Sequence, residues 1–124
     1  MAGYVTDIEK KTEDNRNFRT VLFTTPRSQL VVMNLRPKED IGSETHDDVD
    51  QFIRIEAGEG KAVLNGSEYP LKDGSAVVIP AGVEHNIINV SAKEDMRLYT
   101  IYTPPEHKDG TVHKTKADAE AAGH

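Results

Sequence analysis

The sequence predicts an all-β domain, either a sandwich or a barrel, from three observations. Short apolar or alternating segments recur along the chain and are separated by turn signals. Asn65-Gly66 and Asp73-Gly74 are dipeptides typical of tight hairpin turns. A type I′ hairpin turn needs positive φ at both central residues, which Asn, Asp and Gly adopt most readily. No segment before residue 104 shows a helical period of apolar residues, so no helix is expected there.

The expected strands are rich in Val, Ile, Leu, Phe, Tyr and Thr, and turn residues such as Gly, Pro, Asn and Asp separate most of them. In chain order they are residues 18–25, 29–35, 51–56, 61–64, 76–79, 85–90 and 96–103. Residues 1–103 therefore form one barrel domain, and residues 104–124 form a polar C-terminal tail. Within the tail, residues 116–122 favour a short helix with Thr115 as its cap. We expect a solvated surface tail; the alternative is a segment that closes over a pocket mouth.

Composition excludes several classes of protein. The chain has 124 residues and no Cys, which excludes disulfide frameworks, thiolate metal sites and cysteine nucleophiles. Its net charge of −6 disfavours nucleic acid as a partner. The longest apolar runs are four residues, far short of a membrane span, and the first residues lack the apolar stretch of a signal peptide. We expect a cytoplasmic protein without a membrane or nucleic-acid partner.

Acidic and histidine residues concentrate around residues 39–51. Glu44 and His46 are two apart, so an extended chain places both side chains on one face. A turn after His46 returns Gln51 on the neighbouring strand, and His85 begins a later strand after the corner at residues 80–82. One inward face therefore collects two imidazoles, a carboxylate and an amide oxygen.

These spacings resemble the cupin superfamily over residues 28–103, and in particular its small single-domain bacterial members. The second cupin motif is Gly, five residues, Pro, one residue, Gly, two residues, His, three residues, Asn; it is matched in full by Gly74, Pro80, Gly82, His85 and Asn89. The first motif falls within residues 42–58. There the sequence differs from the family, because Glu44 replaces the first His and Gln51 replaces the usual Glu, while His46 is retained.

The resemblance implies a double-stranded β-helix, or jelly roll, that holds one divalent metal ion through Glu44, His46, Gln51 and His85. Similar Gln ligands occur in small cupins that process unsaturated uronates, and the tail is similar to that of cupins labelled sugar-phosphate-isomerase-like. The donor set suits Mn, Fe, Co, Ni or Zn. Homodimers are also implied, with residues 4–11 as an exchanged arm. Asn89 is interpreted as structural, with hydrogen bonds to backbone near a strand bend.

Three functions remain open. The first is isomerisation or tautomerisation of a small sugar, uronate or keto acid, with the metal as Lewis acid, Glu44 as the base and Tyr99 or Tyr102 as a proton relay. The second is a non-haem dioxygenase, because His46, His85 and Glu44 form a two-His-one-carboxylate set. The third is a module that binds a metal or sugar without turnover.

Overall fold

The computed structural model describes residues 2–123, which alternate between strands and tight turns with a short helix near each end. The elements in chain order are α1 (Ile8–Asp14), β1 (Arg19–Thr24), β2 (Gln29–Leu35), β3 (Asp50–Ala57), β4 (Gly60–Leu64), β5 (Ser67–Leu71), β6 (Ala76–Ile79), β7 (His85–Asn89), β8 (Met96–Thr103), β9 (Val112–His113) and α2 (Lys116–Ala121). No helix in these residues is long and apolar enough to cross a membrane.

The strands form two antiparallel sheets that face each other across one core. The larger sheet has the order β6-β3-β8-β2-β1-β9, and the smaller has the order β5-β4-β7. Single bridges from Asp40 to Ile88 and from Glu44 to His85 add the chain before β3 to the edge of the smaller sheet. The predicted all-β jelly roll is confirmed, and each of the seven expected strands is present.

Two strands were missed for different reasons. In β5 four of the five residues are exposed, and Pro70 interrupts the β-forming composition, so the segment has no alternating pattern. In β9 there are only two residues, and they are held by pairing with Arg19 and Thr20. Neither strand has a local signal, because each depends on the strand beside it.

Alternation along the strands decides which side chains fill the interior. In β3, Ile53 and Ile55 are fully buried, whereas Phe52 and Arg54, which alternate with them, are partly exposed. Their register partners Thr100 and Leu98 in β8 are also fully buried. The apolar core therefore occupies the middle of the barrel.

The expectation of no helix before residue 104 is wrong. Asp7 caps α1 by accepting a hydrogen bond from the Lys10 backbone N–H at 3.1 Å, and Thr12 is fully buried. A helix of seven residues spans two turns, too few for an apolar period to show, and its contacts with β8, β3 and β2 stabilise it instead. Just before it, Tyr4 stacks on Phe23 of the same chain, with ring centroids 5.3 Å apart. Exchange of this segment between copies stays a prediction.

The tail contains the predicted helix, and most of its residues are exposed as expected, but two parts of it pack against the barrel. Thr115 caps α2 and forms a capping box with Asp118. Ala119 of this helix is fully buried, and β9 pairs with β1. The C-terminal segment therefore packs against the barrel, because α2 has one apolar position to bury and β1 has an open edge to pair.

Candidate functional site

The barrel interior becomes polar at one end. Tyr102 in β8 lies opposite Gln29 in β2 on one side and Gln51 in β3 on the other. The three residues are at most 4% exposed, so they form a buried polar layer beyond the apolar core. Gln51 follows the inward alternation of β3, as the sequence predicted.

Glu44 reaches this layer through an irregular segment that runs beside β7. Gly42 has φ of +104°, which interrupts the strand, and its N–H donates to Oδ1 of Asn86 at 3.0 Å. Two residues later, Glu44 and His85 exchange both backbone hydrogen bonds, each 2.9 Å long. Residues paired in this way project their side chains from the same face of a sheet.

The corner at residues 80–82 fixes His46 relative to His85. The Gly82 N–H donates to the His46 carbonyl at 2.8 Å, and the Ala81 N–H donates to Oδ1 of Asp50 at 2.8 Å. Gly82 has φ of +86°, a conformation that favours glycine. The corner thus presents His85, as expected, and also holds the chain on both sides of the acidic turn.

The four predicted metal ligands come to the same end of the lumen, but they do not all touch. Oε2 of Glu44 lies 3.1 Å from Nε2 of His46, and the rings of His46 and His85 are 5.3 Å apart between centroids. Tyr102 packs edge-on against His46 at 6.4 Å and is the register partner of Gln51. Among residues 2–123, no three His, Cys, Asp or Glu side chains are arranged so that they could hold a metal ion.

Both histidines nevertheless have an oxygen atom beside Nδ1, which in His85 is a hydrogen-bond partner and in His46 is an ion-pair partner. Nδ1 of His85 lies 2.9 Å from the Val83 carbonyl oxygen, and Nδ1 of His46 lies 3.5 Å from Oε2 of Glu106. Histidines that bind metals usually donate the other ring N–H to a carbonyl or carboxylate, which fixes the ring and the tautomer. In each ring Nε2 is therefore the nitrogen that would bind an ion.

Gln51 has an unused acceptor inside the barrel. Its Nε2 donates to Oγ1 of Thr100 at 3.0 Å, whereas its Oε1 is buried without a hydrogen-bond partner among the described residues. A buried polar atom without a partner costs about 1–3 kcal/mol. A cation is one partner that an amide oxygen at this position can accept.

The charges in the cluster are coupled. The hydrogen bond that His46 donates to Glu44 raises the pKa of His46 against the opposing effect of burial, and the carboxylate of Glu106 adds to the rise. Burial opposes the ionisation of Glu44, but the hydrogen bond and charge of His46 outweigh it and lower the Glu44 pKa. Burial also raises the pKa of Tyr102, so its hydroxyl stays protonated. Tyr102 is therefore a hydrogen-bond donor rather than a proton acceptor.

Tyr99 is not brought to this cluster. It lies on the opposite face of β8 from Tyr102, is partly exposed, and packs on Phe52 with ring centroids 6.3 Å apart. The sequence did not decide which of the two tyrosines faces the lumen. In the structure Tyr102 faces inward and Tyr99 does not.

Glu106 and His107 are site residues that the sequence did not predict. They lie three and four residues after the end of β8, beside His46 and Gln29 at the polar end of the barrel. The Gln29 side chain accepts from the His107 backbone N–H at 3.0 Å and donates to its carbonyl at 2.6 Å. The His107 ring packs edge-on against Tyr102 at 5.1 Å. One signal was present, namely a Glu-His pair immediately after a strand whose last inward residue is Tyr102.

A family described as "Cupin domain" matches residues 31–102, which run from within β2 to within β8 and include every predicted metal ligand. The chain belongs to the cupin family. This cupin is 46% identical to the uncharacterized protein YrkC of Bacillus subtilis (strain 168), over 96% of the chain and 67% of YrkC. It is 41% identical to the uncharacterized protein L612 of Acanthamoeba polyphaga mimivirus, over 97% of the chain and 77% of L612.

Solved structures share the same fold. The crystal structure of BH2720 from Bacillus halodurans has a TM-score of 0.92 and 40% identity, and the match covers 95% of this chain and 93% of that one. KdgF from Halomonas sp. has a TM-score of 0.65 and 20% identity, covering 71% of this chain and 78% of KdgF, and at that identity it supports the fold alone. Membership of the cupin family supports a metal-binding or enzymatic role for this chain.

Proposed function

We propose that this cupin binds one divalent transition metal ion through His46, His85, Gln51 and Glu44 and isomerises or tautomerises a small oxygenated molecule. The observation that carries the proposal is the state of the two histidines. Each has an oxygen beside Nδ1, the Val83 carbonyl for His85 and the Glu106 carboxylate for His46, and Nε2 of His46 faces Oε2 of Glu44, a second proposed ligand, at 3.1 Å. Family membership adds the prior expectation of a metal or a reaction in the barrel.

The donor atoms fit such an ion chemically. Two imidazole nitrogens, a carboxylate and a neutral amide oxygen suit Mn, Fe, Co, Ni or Zn. The 3.1 Å between Oε2 of Glu44 and Nε2 of His46 is close to the spacing of two adjacent ligands, since bonds of about 2.1 Å at a right angle end about 3.0 Å apart. The buried Oε1 of Gln51 would gain the partner that it lacks among the described residues.

When bound, a divalent ion polarises a substrate oxygen and favours loss of a proton from the neighbouring carbon. The chain supplies the remaining functions. Glu44 is a loosely held ligand that also accepts the proton, because its lowered pKa keeps the carboxylate ionised and its side chain is 35% exposed. Tyr102 donates a hydrogen bond, and Glu106 holds the His46 ring. The substrate class is a sugar, a uronate or a keto acid.

A second function is favoured by the same donor set. His46, His85 and Glu44 are two histidines and one carboxylate, the combination of non-haem iron oxygenases. Oxygen consumption by the iron-loaded protein with diketones or phenols, against anaerobic controls, separates this reaction from an isomerisation. Tight retention of a ligand without product across both assays would indicate a binding module instead.

Elemental analysis tests the metal proposal. The purified protein is stripped with chelator, loaded separately with each of the five metals, desalted and analysed. We expect about one equivalent of the preferred ion in the wild type and loss of it in His46→Ala and His85→Ala. His124→Ala is the matched control, because it removes an imidazole that is not a predicted ligand. A wild type that retains none of the metals would overturn the proposal.

Proton exchange tests the reaction. Candidate sugars, uronates and keto acids are incubated with loaded protein in deuterated water, and loss of the proton next to the carbonyl is followed by NMR. We expect exchange with the wild type and little with Glu44→Gln. Exchange that is unchanged in Glu44→Gln would remove Glu44 from the role of base and leave the metal proposal standing.

A further inference from the structure

Apolar side chains form a continuous row across the outer face of the larger sheet. Each member is the register partner of the next, and together they span β6, β3, β8, β2 and β1 in the order Val78, Phe52, Ile101, Leu30 and Phe23. All five are at least partly exposed, whereas strand neighbours such as Ile53 and Val31 are fully buried. This apolar row therefore points away from the core.

Helix α1 covers the other half of the same outer face. In β2, Val32 and Asn34 alternate with the core residues as Leu30 does, but both are buried. The helix contacts β8, β3 and β2, and the Asn34 N–H donates to the carbonyl of Asn17, three residues after α1, at 3.1 Å. The chain thus covers one half of this face with its own helix and leaves the apolar row open.

The two ends of the apolar row are its most open parts. Val78 is 67% exposed at the β6 end. At the β1 end Tyr4 stacks on Phe23 and is itself exposed, and the next residue, Val5, is almost fully exposed. Contiguous apolar surface with a polar rim marks an interaction site. Here the rim is polar, with Asp50 and Arg54 on either side of Phe52.

The position of α1 restricts how a second copy of the chain can pack on this face. A helix is about 10 Å in diameter, and packed sheets lie about 10 Å apart. A two-fold axis parallel to the strands would therefore place α1 on α1 and hold the two sheets apart. Asn34 pairs with Arg97, and Arg97 pairs with Ala57, so α1 lies toward the Ala57 end of β3. With an axis along the apolar row, each α1 lies beyond the opposite end of the other copy's β3, and row packs on row.

The same axis brings opposite charges together on both sides of the apolar row. Asp50 and Arg54 are each two residues from Phe52 in β3, in opposite directions and on the same face. Reversal of the strand about Phe52 places Arg54 of one copy over Asp50 of the other, twice in a dimer. The Arg54 side chain is 41% exposed and pairs with Glu56 through Nη2 at 3.4 Å. A guanidinium has five donors, so it can bind a second carboxylate.

We propose that this cupin forms a homodimer in which the larger sheets of two copies pack face to face through the apolar row, about a two-fold axis along it. An isologous interface needs a patch that is its own complement, and both the apolar row and the Arg54–Asp50 match meet that condition. The dimer needs no exchange of residues 4–11, because Tyr4 stacks on Phe23 of its own chain. It also does not depend on a metal ion or a reaction in the barrel.

The mass in solution tests the proposal. Sedimentation of the purified full chain over a range of concentrations should show a species of twice 13.7 kDa. Val78→Glu should raise the dissociation constant at least about tenfold, because the dimer buries a charge on each copy. The variant should still fold, since Val78 is mostly exposed in the single chain. Val90→Glu is the matched control: it makes the same change at an exposed position just after β7 of the smaller sheet, and it should dimerise as the wild type does.

Two outcomes of this experiment would overturn the proposal. A wild type that is monomeric at every concentration would leave the apolar row for a different partner. A Val78→Glu protein that is folded and dimerises as tightly as the wild type would show that the row is not the interface.

Cross-linking tests the position of the axis. The chain has no Cys, so a single introduced thiol reports on one position. A residue on a two-fold axis faces its own copy, and a short bismaleimide should therefore join two chains of Val78→Cys in high yield. Val90→Cys should give no more cross-linked product than the same protein in urea. A dimer in which Val90→Cys is cross-linked as efficiently as Val78→Cys would contradict the proposed face.

Discussion

The Glu44 carboxylate and the His46 imidazole stabilise each other's charged form across 3.1 Å between Oε2 and Nε2. The hydrogen bond that His46 donates to Glu44 raises the pKa of His46. Burial opposes the ionisation of Glu44, but the hydrogen bond and charge of His46 outweigh it and lower the Glu44 pKa. Metal ligation needs a neutral imidazole, so metal binding at His46 competes with this pair and releases a proton.

The first prediction concerns the pH dependence of stability in the presence of chelator. The His46 pKa is raised, so its contribution is complete below the ordinary value of 6.5 and is lost as pH rises through the folded-state pKa. The Glu44 pKa is lowered, so its contribution is complete above the ordinary value of 4.5 and is lost as pH falls through the folded-state pKa. The contribution of the pair to the free energy of unfolding is therefore largest between these two values.

Glu44→Gln is the variant that checks it. We expect the wild type to exceed the variant by about 1 kcal/mol within that window and by less at alkaline pH. Urea unfolding of chelated protein at a series of pH values measures the difference. A difference that is constant from acid to alkaline pH would contradict the assignment of the pair.

The second prediction is that replacing Gln51 lowers metal affinity without lowering the stability of the metal-free protein. Gln51→Leu removes the buried Oε1 that has no partner among the described residues, at the cost of the hydrogen bond to Thr100. We expect the unfolding temperature of the chelated variant to equal or exceed that of the wild type, while metal affinity falls at least about tenfold. Gln51→Leu protein that is both less stable and unchanged in metal affinity would show that the amide is structural.

The third prediction concerns Glu106, which lies 3.5 Å from Nδ1 of His46. Loss of an outer partner of a metal-binding histidine typically costs 10–100-fold in affinity, so Glu106→Gln should weaken metal binding by about that factor without abolishing it. Competition with a fluorescent chelator measures the change. Glu120→Gln, an exposed site on α2 in the same tail, is the control and should bind metal as the wild type does.

The fourth prediction concerns Asn89, which joins three chain segments from a fully buried position. Its Nδ2 lies within 3.1 Å of the carbonyls of Leu35, Arg36 and Glu94, and its Oδ1 accepts from the Ser91 N–H at 3.0 Å. The structural interpretation of this motif residue is confirmed. Asn89→Ala should lower the free energy of unfolding by about 2–4 kcal/mol, since buried backbone groups lose their partner.

Asn89→Asp sharpens that experiment. It keeps an acceptor for the Ser91 N–H but places a carboxylate against the same carbonyls, so it should destabilise at least as much as alanine at neutral pH. An Asn89→Asp protein as stable as the wild type would show that the amide N–H groups contribute little.

The fifth prediction tests whether the tail is part of the folded unit. Ala119 of α2 is fully buried, whereas Ala117 on the same helix is exposed. Ala119→Glu should detach α2 and lower the free energy of unfolding by about 2–3 kcal/mol, with early proteolytic cleavage after residue 104. Ala117→Glu should have neither effect. Equal behaviour of the two variants would mean that the tail does not depend on α2 for its docking.

The sequence predicts those parts of the molecule whose causes are local. Asn65 and Gly66 have φ of +48° and +85°, the two positive values that their hairpin turn requires. Gln51 lies inside because the alternation of β3 is regular, and His85 follows a corner shaped by Gly82. These features need only neighbouring residues for their explanation.

The missed features depend on contacts far apart in the sequence. Glu106 lies beside His46 because Gln29, 78 residues from His107, holds the chain there. Arg19 falls within a predicted strand, but its facing depends on a register with β2 that the sequence does not specify. Helix α1 is too short to have a period and is stabilised by the sheet beneath it.

The Gln29 amide behaves toward His107 as one more peptide group, since it accepts from the N–H and donates to the C=O of the same residue. The Gln29 side chain on β2 therefore fixes the position of the backbone at His107 through main-chain atoms, whatever side chains stand on either side of His107. Substitutions around His107 can then reshape the entrance while the eight-residue strand before it stays as it is. Gln29 thus allows the segment around His107 to change in sequence while the barrel strands stay the same.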